Sequence, residues 1–371
     1  MDTVEGFADI AVSEPAPPNA APPSITRRWL VALVLSLLIA AGFAYLLHLG
    51  ALPVVPPREA FAHVAWWTVG AYSLIWLTAL LVRSYRWKWL LEPIAPVTTS
   101  RLMSVSLISM GALVVLPLRM GEVVRPTMIR GPKLSAWAAT GTVAAERVID
   151  GLVICLLLFA GLLVAQPLDP LPDHIGDLRI PVALVPRGTY IALGLFAVAF
   201  LLMALFYFGR ERVRRAVLRV LGSVSPRLSA WVAAKVDGVA TGLSFLPRAR
   251  SISPFVAATV LYWWLNAAGV WLISRGADIP LTLPQSMVLV GVLALGVLVP
   301  NAPGYFGTFQ LSLYAGFAMY KAPGLVVERA SVVIFLIYLV QILGTLLLAA
   351  VGLWWFQRAS RSESHAERAS A

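Results

Sequence analysis

Cysteine and histidine are both scarce in this sequence. Cys155 is the only cysteine in 371 residues, and it lies within an apolar run, which excludes disulfides and cysteine-based zinc sites. The four histidines are scattered and show no metal-ligand spacing. No heptad, short repeat or nucleotide-binding glycine loop is visible. We therefore expect neither a metal nor any other cofactor.

Charge is scarce as well. Charged residues make up 13% of the chain, whereas globular proteins carry about 25%. Hydrophobic residues make up 59%, and the mean hydropathy is +0.82. This composition indicates an integral membrane protein. In a soluble protein the net charge of +11 would suggest nucleic acid, but here we attribute it to arginines facing the cytoplasm and anionic lipid, and we expect no nucleic-acid partner.

Polar tails are predicted at both ends of one membrane domain. Residues 1–26 are rich in alanine and proline and predict a disordered cytoplasmic tail. Arg27 and Arg28 then precede an apolar run, which is either an uncleaved first helix or an export signal. Its length and the runs that follow favour the helix. The membrane domain is predicted at 27–357, and 358–371 form a second cytoplasmic tail.

Six apolar runs are predicted to cross the membrane. They are Trp29–His48, Val64–Val82, Leu134–Ala165, Thr189–Phe208, Pro254–Ser274 and Ser331–Phe356. Basic residues concentrate in alternate loops, which places both termini in the cytoplasm. The most basic loop, 209–251, has apolar residues at helical spacing and predicts an amphipathic helix on the inner leaflet. Tryptophans near span ends, such as Trp87 and Trp263, are interpreted as interfacial belts.

Two further hydrophobic segments are broken. They read GALVVLPLRMGEVVRP at Gly111–Pro126 and LALGVLVPNAPGYFGTFQ at Leu293–Gln310. Irregular backbone survives at membrane depth only when it is buried in protein or lines a polar cavity. Basic residues flank the first segment on both sides, so we predict that 102–133 enters and leaves from the cytoplasm, and 285–321 from outside. A kinked spanning helix is the alternative for the second segment.

The sequence thus predicts an all-α polytopic membrane protein with about six transmembrane helices and two oppositely oriented re-entrant helical hairpins. Two broken segments in corresponding halves of a membrane chain point to a transporter-type site.

The third predicted span contains three charged residues, Glu146, Arg147 and Asp150. The apolar run that follows them is only ~22 Å long at ~1.5 Å per residue, whereas the hydrocarbon core is ~30 Å thick. The charges must therefore enter the membrane or face a polar cavity. Glu146 and Asp150 lie four residues apart and repel each other unless they are paired. Arg147 can pair with Asp150, and Arg119 or Arg125 is the expected partner of Glu146.

Two hypotheses remain open for this cluster: a structural set of salt bridges that fixes the first hairpin, and contact with a substrate. Arg119, Arg125 and Arg147 balance Glu122, Glu146 and Asp150 in charge. A purely anionic ligand would need further cations, for which Arg83, Arg86 and Arg130 are candidates. The candidate substrate-binding residues are Arg119, Glu122, Arg125, Glu146, Arg147, Asp150, Asn301, Pro303, Gly304, Gly307 and Gln310.

Three motifs carry a resemblance to a known family. They are Pro117-x-Arg119-x-Gly121-Glu122-x-x-Arg125, then Glu146-Arg147-x-x-Asp150, then Pro303-Gly304-x-x-Gly307. With them the chain resembles the lysylphosphatidylglycerol synthase transmembrane-region family, also called flippase-like domain proteins, over roughly Trp29–Phe356. The resemblance implies two inward-pointing re-entrant hairpins and movement of aminoacylated phosphatidylglycerol between leaflets. Other members are linked to polyprenyl-phosphate sugars.

The chain departs from the family pattern at two places. Leu113 and Val114 stand where an asparagine often precedes the first motif, and Gln310 stands where a glutamate often follows the last. Both changes remove polarity, which favours a substrate other than a lysyl lipid. Only a short polar segment follows Phe356, so no synthase activity is expected.

The predicted function is translocation of a polar phospholipid or glycolipid head across a bacterial inner membrane. The expected partners are the membrane lipid itself or a lipid-linked substrate, and a separate lipid-modifying synthase is a candidate partner. The alternative is a membrane enzyme, or an accessory or scaffold subunit, acting on a polyprenyl-phosphate or aminoacyl lipid.

Overall fold

In the part of the chain that the structure describes, the fold is built from helices without strands. The computed structural model describes residues 25–116, 121–179, 181–223, 225–298 and 302–370, with side chains from Val34 to Arg358. Its α-helices are α1 (Ile25–Leu49), α2 (Trp66–Tyr85), α3 (Trp87–Leu91), α4 (Thr99–Val115), α5 (Gly121–Ile129), α6 (Ala136–Val164), α7 (Leu184–Gly222), α8 (Pro226–Gly242), α9 (Ala249–Gly276), α10 (Leu283–Gly296), α11 (Thr308–Ala318), α12 (Pro323–Leu325) and α13 (Ser331–Ser370). The predicted all-α class is confirmed. The predicted tail at 1–26 falls almost wholly outside the described residues.

Among the described residues, four helical stretches are long and apolar enough to cross a membrane: α6, α7, α9 and Pro323–Arg358. They correspond to the last four of the six predicted spans. The first two predicted spans fall in α1, of which Val34–Leu49 is a shorter apolar helix, and in the 20-residue α2.

Each broken segment folds into an antiparallel helical hairpin. In the first hairpin, α5 runs back along α4: Arg101 near the start of α4 donates to the carbonyl of Arg130 at 2.9 Å, and Gly121 lies against the backbone of Leu113. In the second, α11 runs back along α10, and Lys321 donates to the carbonyl of Pro280 at 2.6 Å. The residues between α4 and α5, including Pro117 and Arg119, lie outside the described part of the chain, as do 299–301 between α10 and α11.

The basic stretch 209–251 is helical, as expected, but α7 runs through Phe208 without a break as one helix of 39 residues. The stretch therefore begins as the end of a spanning helix, and α8 folds back along it. Arg214 of α7 pairs with Asp237 of α8 at 3.2 Å. The helix continues because no proline or glycine pair interrupts the sequence after Phe208.

Helix α8 also packs very closely on α6. A Cβ at Gly141 would lie 2.6 Å from the carbonyl oxygen of Val239, and one at Gly242 would collide with the carbonyl of Ala138. Small residues at a helix crossing let two backbones approach closely. The α6–α8 contact therefore depends on glycine at both positions.

Two hydrophobic cores lie at opposite ends of α6. One includes Ala139, Ile149, Phe245 and Phe255, and the other includes Leu158 with residues of α10, α11 and α13. The charged residues of α6, Glu146, Arg147 and Asp150, lie near the border of the two cores, beside Ile149 of the first core and before Ile154 of the second.

Candidate functional site

Arg86 is the centre of a buried charge cluster. Its Nη2 atom donates to Asp150 Oδ2 at 2.6 Å and to Glu146 Oε1 at 3.2 Å. Its Nη1 atom donates to the hydroxyl of Thr259 at 2.5 Å. Arg86 and Glu146 are fully buried, and Asp150 is 6% exposed. One guanidinium thus bridges two carboxylates that lie one helical turn apart, and its charge offsets the repulsion between them.

Arg125 is the second cation bound to Glu146. Its Nη1 atom contacts Glu146 Oε2 at 2.6 Å, so the predicted pairing of Arg125 with Glu146 is confirmed. The guanidinium also lies 3.9 Å above the ring of Trp87. Trp87 is fully buried and donates through Nε1 to the hydroxyl of Thr142 at 2.9 Å. Its interpretation as an interfacial tryptophan is wrong, because its ring is the surface on which Arg125 stacks.

Arg147 completes the cluster on its more open side. Its guanidinium lies 3.6 Å from Glu122 Oε1 and 3.9 Å from Asp150 Oδ2. The side chains of Arg147 and Glu122 are 24% and 31% exposed. Arg119, predicted as a member of this cluster, lies outside the described residues.

The cluster lies near the middle of α6. Glu146 comes ten residues after the helix begins at Ala136, which corresponds to ~15 Å at ~1.5 Å per residue. The ion pairs explain why these charges are tolerated there.

A polar cavity of about 220 Å³ adjoins the cluster. It lies between the ends of the two hairpins, because Leu113 of α4 and Leu293–Leu295 of α10 both line it. Its polar wall consists of Arg83, Arg147, Asp150, Tyr262, Trp263, Asn266, Tyr305 and Gln341. A second cavity of about 100 Å³ shares Arg83, Tyr262, Asn266, Tyr305 and Gln341.

Arg83 differs from the other cations in this region. Its Nη1 atom donates to the hydroxyl of Tyr262 at 3.3 Å, and its guanidinium lies 5.4 Å from the centre of that ring. It forms no ion pair with any carboxylate that the structure describes. Most of its donors thus have no protein partner in the described chain.

The described residues of the site carry a net charge of +1. The cations are Arg83, Arg86, Arg125 and Arg147, and the anions are Glu122, Glu146 and Asp150. The neutral balance expected from the sequence included Arg119, which lies outside the described residues, and omitted Arg83 and Arg86, which were considered only as additional cations. Their sequence position at the end of an apolar run suggested an ordinary basic flank.

In the second hairpin, the described residues that were predicted as site residues determine the backbone conformation and add no polar group to the cavity wall. Gly304 and Gly307 have φ of 68° and 85°, values that L-residues rarely adopt. Gln310 is 2% exposed, and its Oε1 accepts from the backbone N–H of Gly307 at 2.7 Å. Pro303, Gly304 and Gly307 therefore form the turn before α11, and Gln310 lies in the first turn of that helix. None of these four residues lines the cavity. Asn301 lies outside the described residues.

Tyr305 is the residue of this turn that reaches the cavity. It has a positive φ of 57°, which is uncommon for a non-glycine residue. Tyr262, Asn266 and Gln341 were not predicted as site residues. The available signal was a neutral polar side chain within an otherwise apolar span, which is weak for Asn266 and Gln341 and weaker for tyrosine.

One of three comparisons with known proteins gave a match. The family model described as the lysylphosphatidylglycerol synthase TM region matches residues 31–349. The search of curated proteins and the search of solved structures found no match. The matched region contains the charge cluster, both hairpins and the cavity. The apolar helices and the family together indicate a membrane protein with a lipid-related function. The chain belongs to the lysylphosphatidylglycerol synthase TM-region family.

Proposed function

We propose that this protein moves a phospholipid with an anionic phosphate between the two leaflets of a bacterial inner membrane. The observation that carries the proposal is Arg83, a cation on the wall of the cavity that forms no ion pair with any described carboxylate. A cation at membrane depth is costly unless an anion accompanies it. A lipid phosphate supplies that anion.

The other wall residues suit the rest of a lipid head. Arg147 can add a second guanidinium beside the phosphate, and guanidinium groups bind phosphate oxygens through paired hydrogen bonds. Asn266 and Gln341 present amides to hydroxyl or amino groups of the head. The described residues of the site carry a net charge of +1, which suits a head with one negative charge. Glu146 and Arg125 do not line the cavity. They are buried in ion pairs next to it and stabilise the helices that carry the wall residues.

The proposed topology has six spans, two re-entrant hairpins and both termini in the cytoplasm. The antiparallel course of α4 and α5, and of α10 and α11, supports re-entry, because each segment brings its two ends together. In this topology the two hairpins enter from opposite sides, and the ends of α4 and α10 approach the cavity. A lipid head could then cross between them while its acyl chains stay in apolar surroundings.

The test is a scrambling assay in liposomes with head-labelled phosphatidylglycerol. We expect the wild type to accelerate exchange of the labelled lipid between leaflets, and Arg83→Gln to slow it by about tenfold or more, equivalent to the loss of ~1.4 kcal/mol at the limiting step. The matched control is Arg275→Gln. Arg275 is exposed at the end of α9 and stacks on Trp271, away from the cavity.

Three results would contradict the proposal. The first is a wild-type protein that moves no tested lipid. The second is Arg83→Gln moving every lipid at the wild-type rate. The third is chemical conversion of the lipid without translocation, which would instead indicate a membrane enzyme.

A further inference from the structure

A large apolar groove adjoins the polar cavity. It measures about 810 Å³ and lies between α7 on one side and the α10–α11 hairpin on the other. Val185, Ala192 and Leu195 line it from α7, and Val292, Leu311 and Ala315 line it from the hairpin. Helix α7 packs on α6 and α8, but has almost no contact with α10 or α11. The groove is the space that this arrangement leaves.

Three residues belong to the groove and to the polar cavity at once: Phe196, Leu295 and Leu298. The two spaces are therefore neighbours separated by side chains and not by backbone. The Phe196 ring lies directly against Gly151, where any Cβ would collide with it. Gly151 follows Asp150, so the ring sits one residue from the charge cluster.

An occupant of both spaces must be amphipathic. The cavity offers Arg83 and Arg147, and the groove walls are almost entirely hydrocarbon. Membrane lipid surrounds this side of the protein, since none of the most apolar stretch of α7 is buried within the fold. The molecule that matches one charged compartment beside one apolar compartment, and that is present in the surrounding bilayer, is a glycerophospholipid.

We infer that the groove holds one acyl chain of the same phospholipid whose phosphate binds in the polar cavity, with the glycerol backbone at Phe196. This inference rests on the proposed function and extends it. The protein then recognises the chain and the head, and lipid enters sideways between α7 and the α10–α11 hairpin.

The experiment compares two substitutions on the same helix. Ala192→Trp places an indole inside the groove, whereas Ala197→Trp places it on the exposed face of α7. In liposomes with head-labelled phosphatidylglycerol, we expect Ala192→Trp to slow scrambling by about tenfold or more, and Ala197→Trp to leave it unchanged. Ala315→Trp, which fills the groove from α11, should reproduce the loss.

A second measurement does not depend on transport. Phosphatidylglycerol with a photoactivatable diazirine on one acyl chain should label Val292 and Leu311, which are 8% exposed and half-buried respectively. That labelling should disappear in Ala192→Trp and persist in Ala197→Trp. Equal scrambling and equal labelling in the two variants would overturn the groove assignment and leave lipid translocation standing. Labelling of the groove by a wild type that scrambles nothing would support the binding site and contradict the proposed function.

Discussion

At the scale of single residues, Arg86 is the cation that stabilises the buried carboxylates of Glu146 and Asp150. It binds both Glu146 and Asp150 and has no exposed surface. Replacing a buried ion pair by apolar groups of similar size can be neutral, but removing one partner leaves an uncompensated charge. Arg86 has two carboxylate partners, so its loss affects both.

We expect Arg86→Met to lower the free energy of unfolding by about 3–5 kcal/mol, because Glu146 and Asp150 would lose their shared cation. Arg83→Met is the matched control, since Arg83 lies one helical turn earlier and has no described ion pair to lose. The measurement is thermal unfolding of both purified variants in detergent. Equal melting temperatures for the two variants would show that the ion pairs add nothing to stability.

The sequence was informative about this cluster up to a specific point. The spacing of Glu146 and Asp150 required a cation, and Arg125 was correctly predicted to provide one. The larger contribution of Arg86 could not be read from the sequence, because an arginine after an apolar run is normally a cytoplasmic flank. Its burial results from the packing of α2 and α3 against α9 and of α3 against α6. This packing brings Glu146 and Thr259 to Arg86 from 60 and 173 positions away in the sequence.

At the scale of helices, α6 and α8 cross in close backbone contact near the site. At Gly242 an added Cβ would meet three backbone atoms, the carbonyl oxygen of Ala138 among them. Backbone atoms cannot rotate away as a side chain can. The contact therefore holds the charged helix α6 against a helix of the basic region.

We expect Gly242→Ala to destabilise the protein by about 1–3 kcal/mol, the usual cost of overpacking a close contact. Gly209→Ala is the control, because nothing lies within 4 Å of a Cβ at that position of α7. Alanine should there be neutral or stabilising by up to about 1 kcal/mol, since it is the better helix former. Thermal unfolding in detergent measures both, and a Gly242→Ala protein as stable as the control would refute the close contact.

At the scale of the whole molecule, the helical class and the breaks in two hydrophobic segments were predictable, whereas the helix ends were not. Proline and glycine interrupt each broken segment, and that local chemistry is visible in the sequence. The extension of α7 to Gly222 was missed because hydropathy reports where a helix leaves apolar surroundings and not where it ends. The walls that Tyr262, Asn266 and Gln341 contribute to the cavity were not predicted, since these residues lie on helices distant in sequence from the hairpins.

The proposed topology places the basic region, 209–251, inside the cell. It places the loop between α6 and α7, which contains Asp169, Asp173 and Asp177, outside the cell. In a Cys155→Ala background, we expect Asp173→Cys to react with an impermeant thiol reagent added to intact cells, and Trp231→Cys to react only after the membrane is opened. The two side chains suit the test because they are 90% and 58% exposed. Reaction of position 231 in intact cells would show that the basic region lies outside the cell and that the proposed topology is wrong.

The separation of Arg86 and Glu146 in the chain sets an order for biogenesis. The two residues are 60 positions apart, so at about 5–20 residues per second ~3–12 s of synthesis separate them. During that interval Arg86 has no carboxylate partner from α6. It follows directly on α2, where its long side chain can reach the lipid headgroups and remain hydrated. When α6 enters the bilayer, Arg86 can neutralise its two carboxylates, Glu146 and Asp150. We therefore expect insertion of α6 to depend on α2 already being in the membrane.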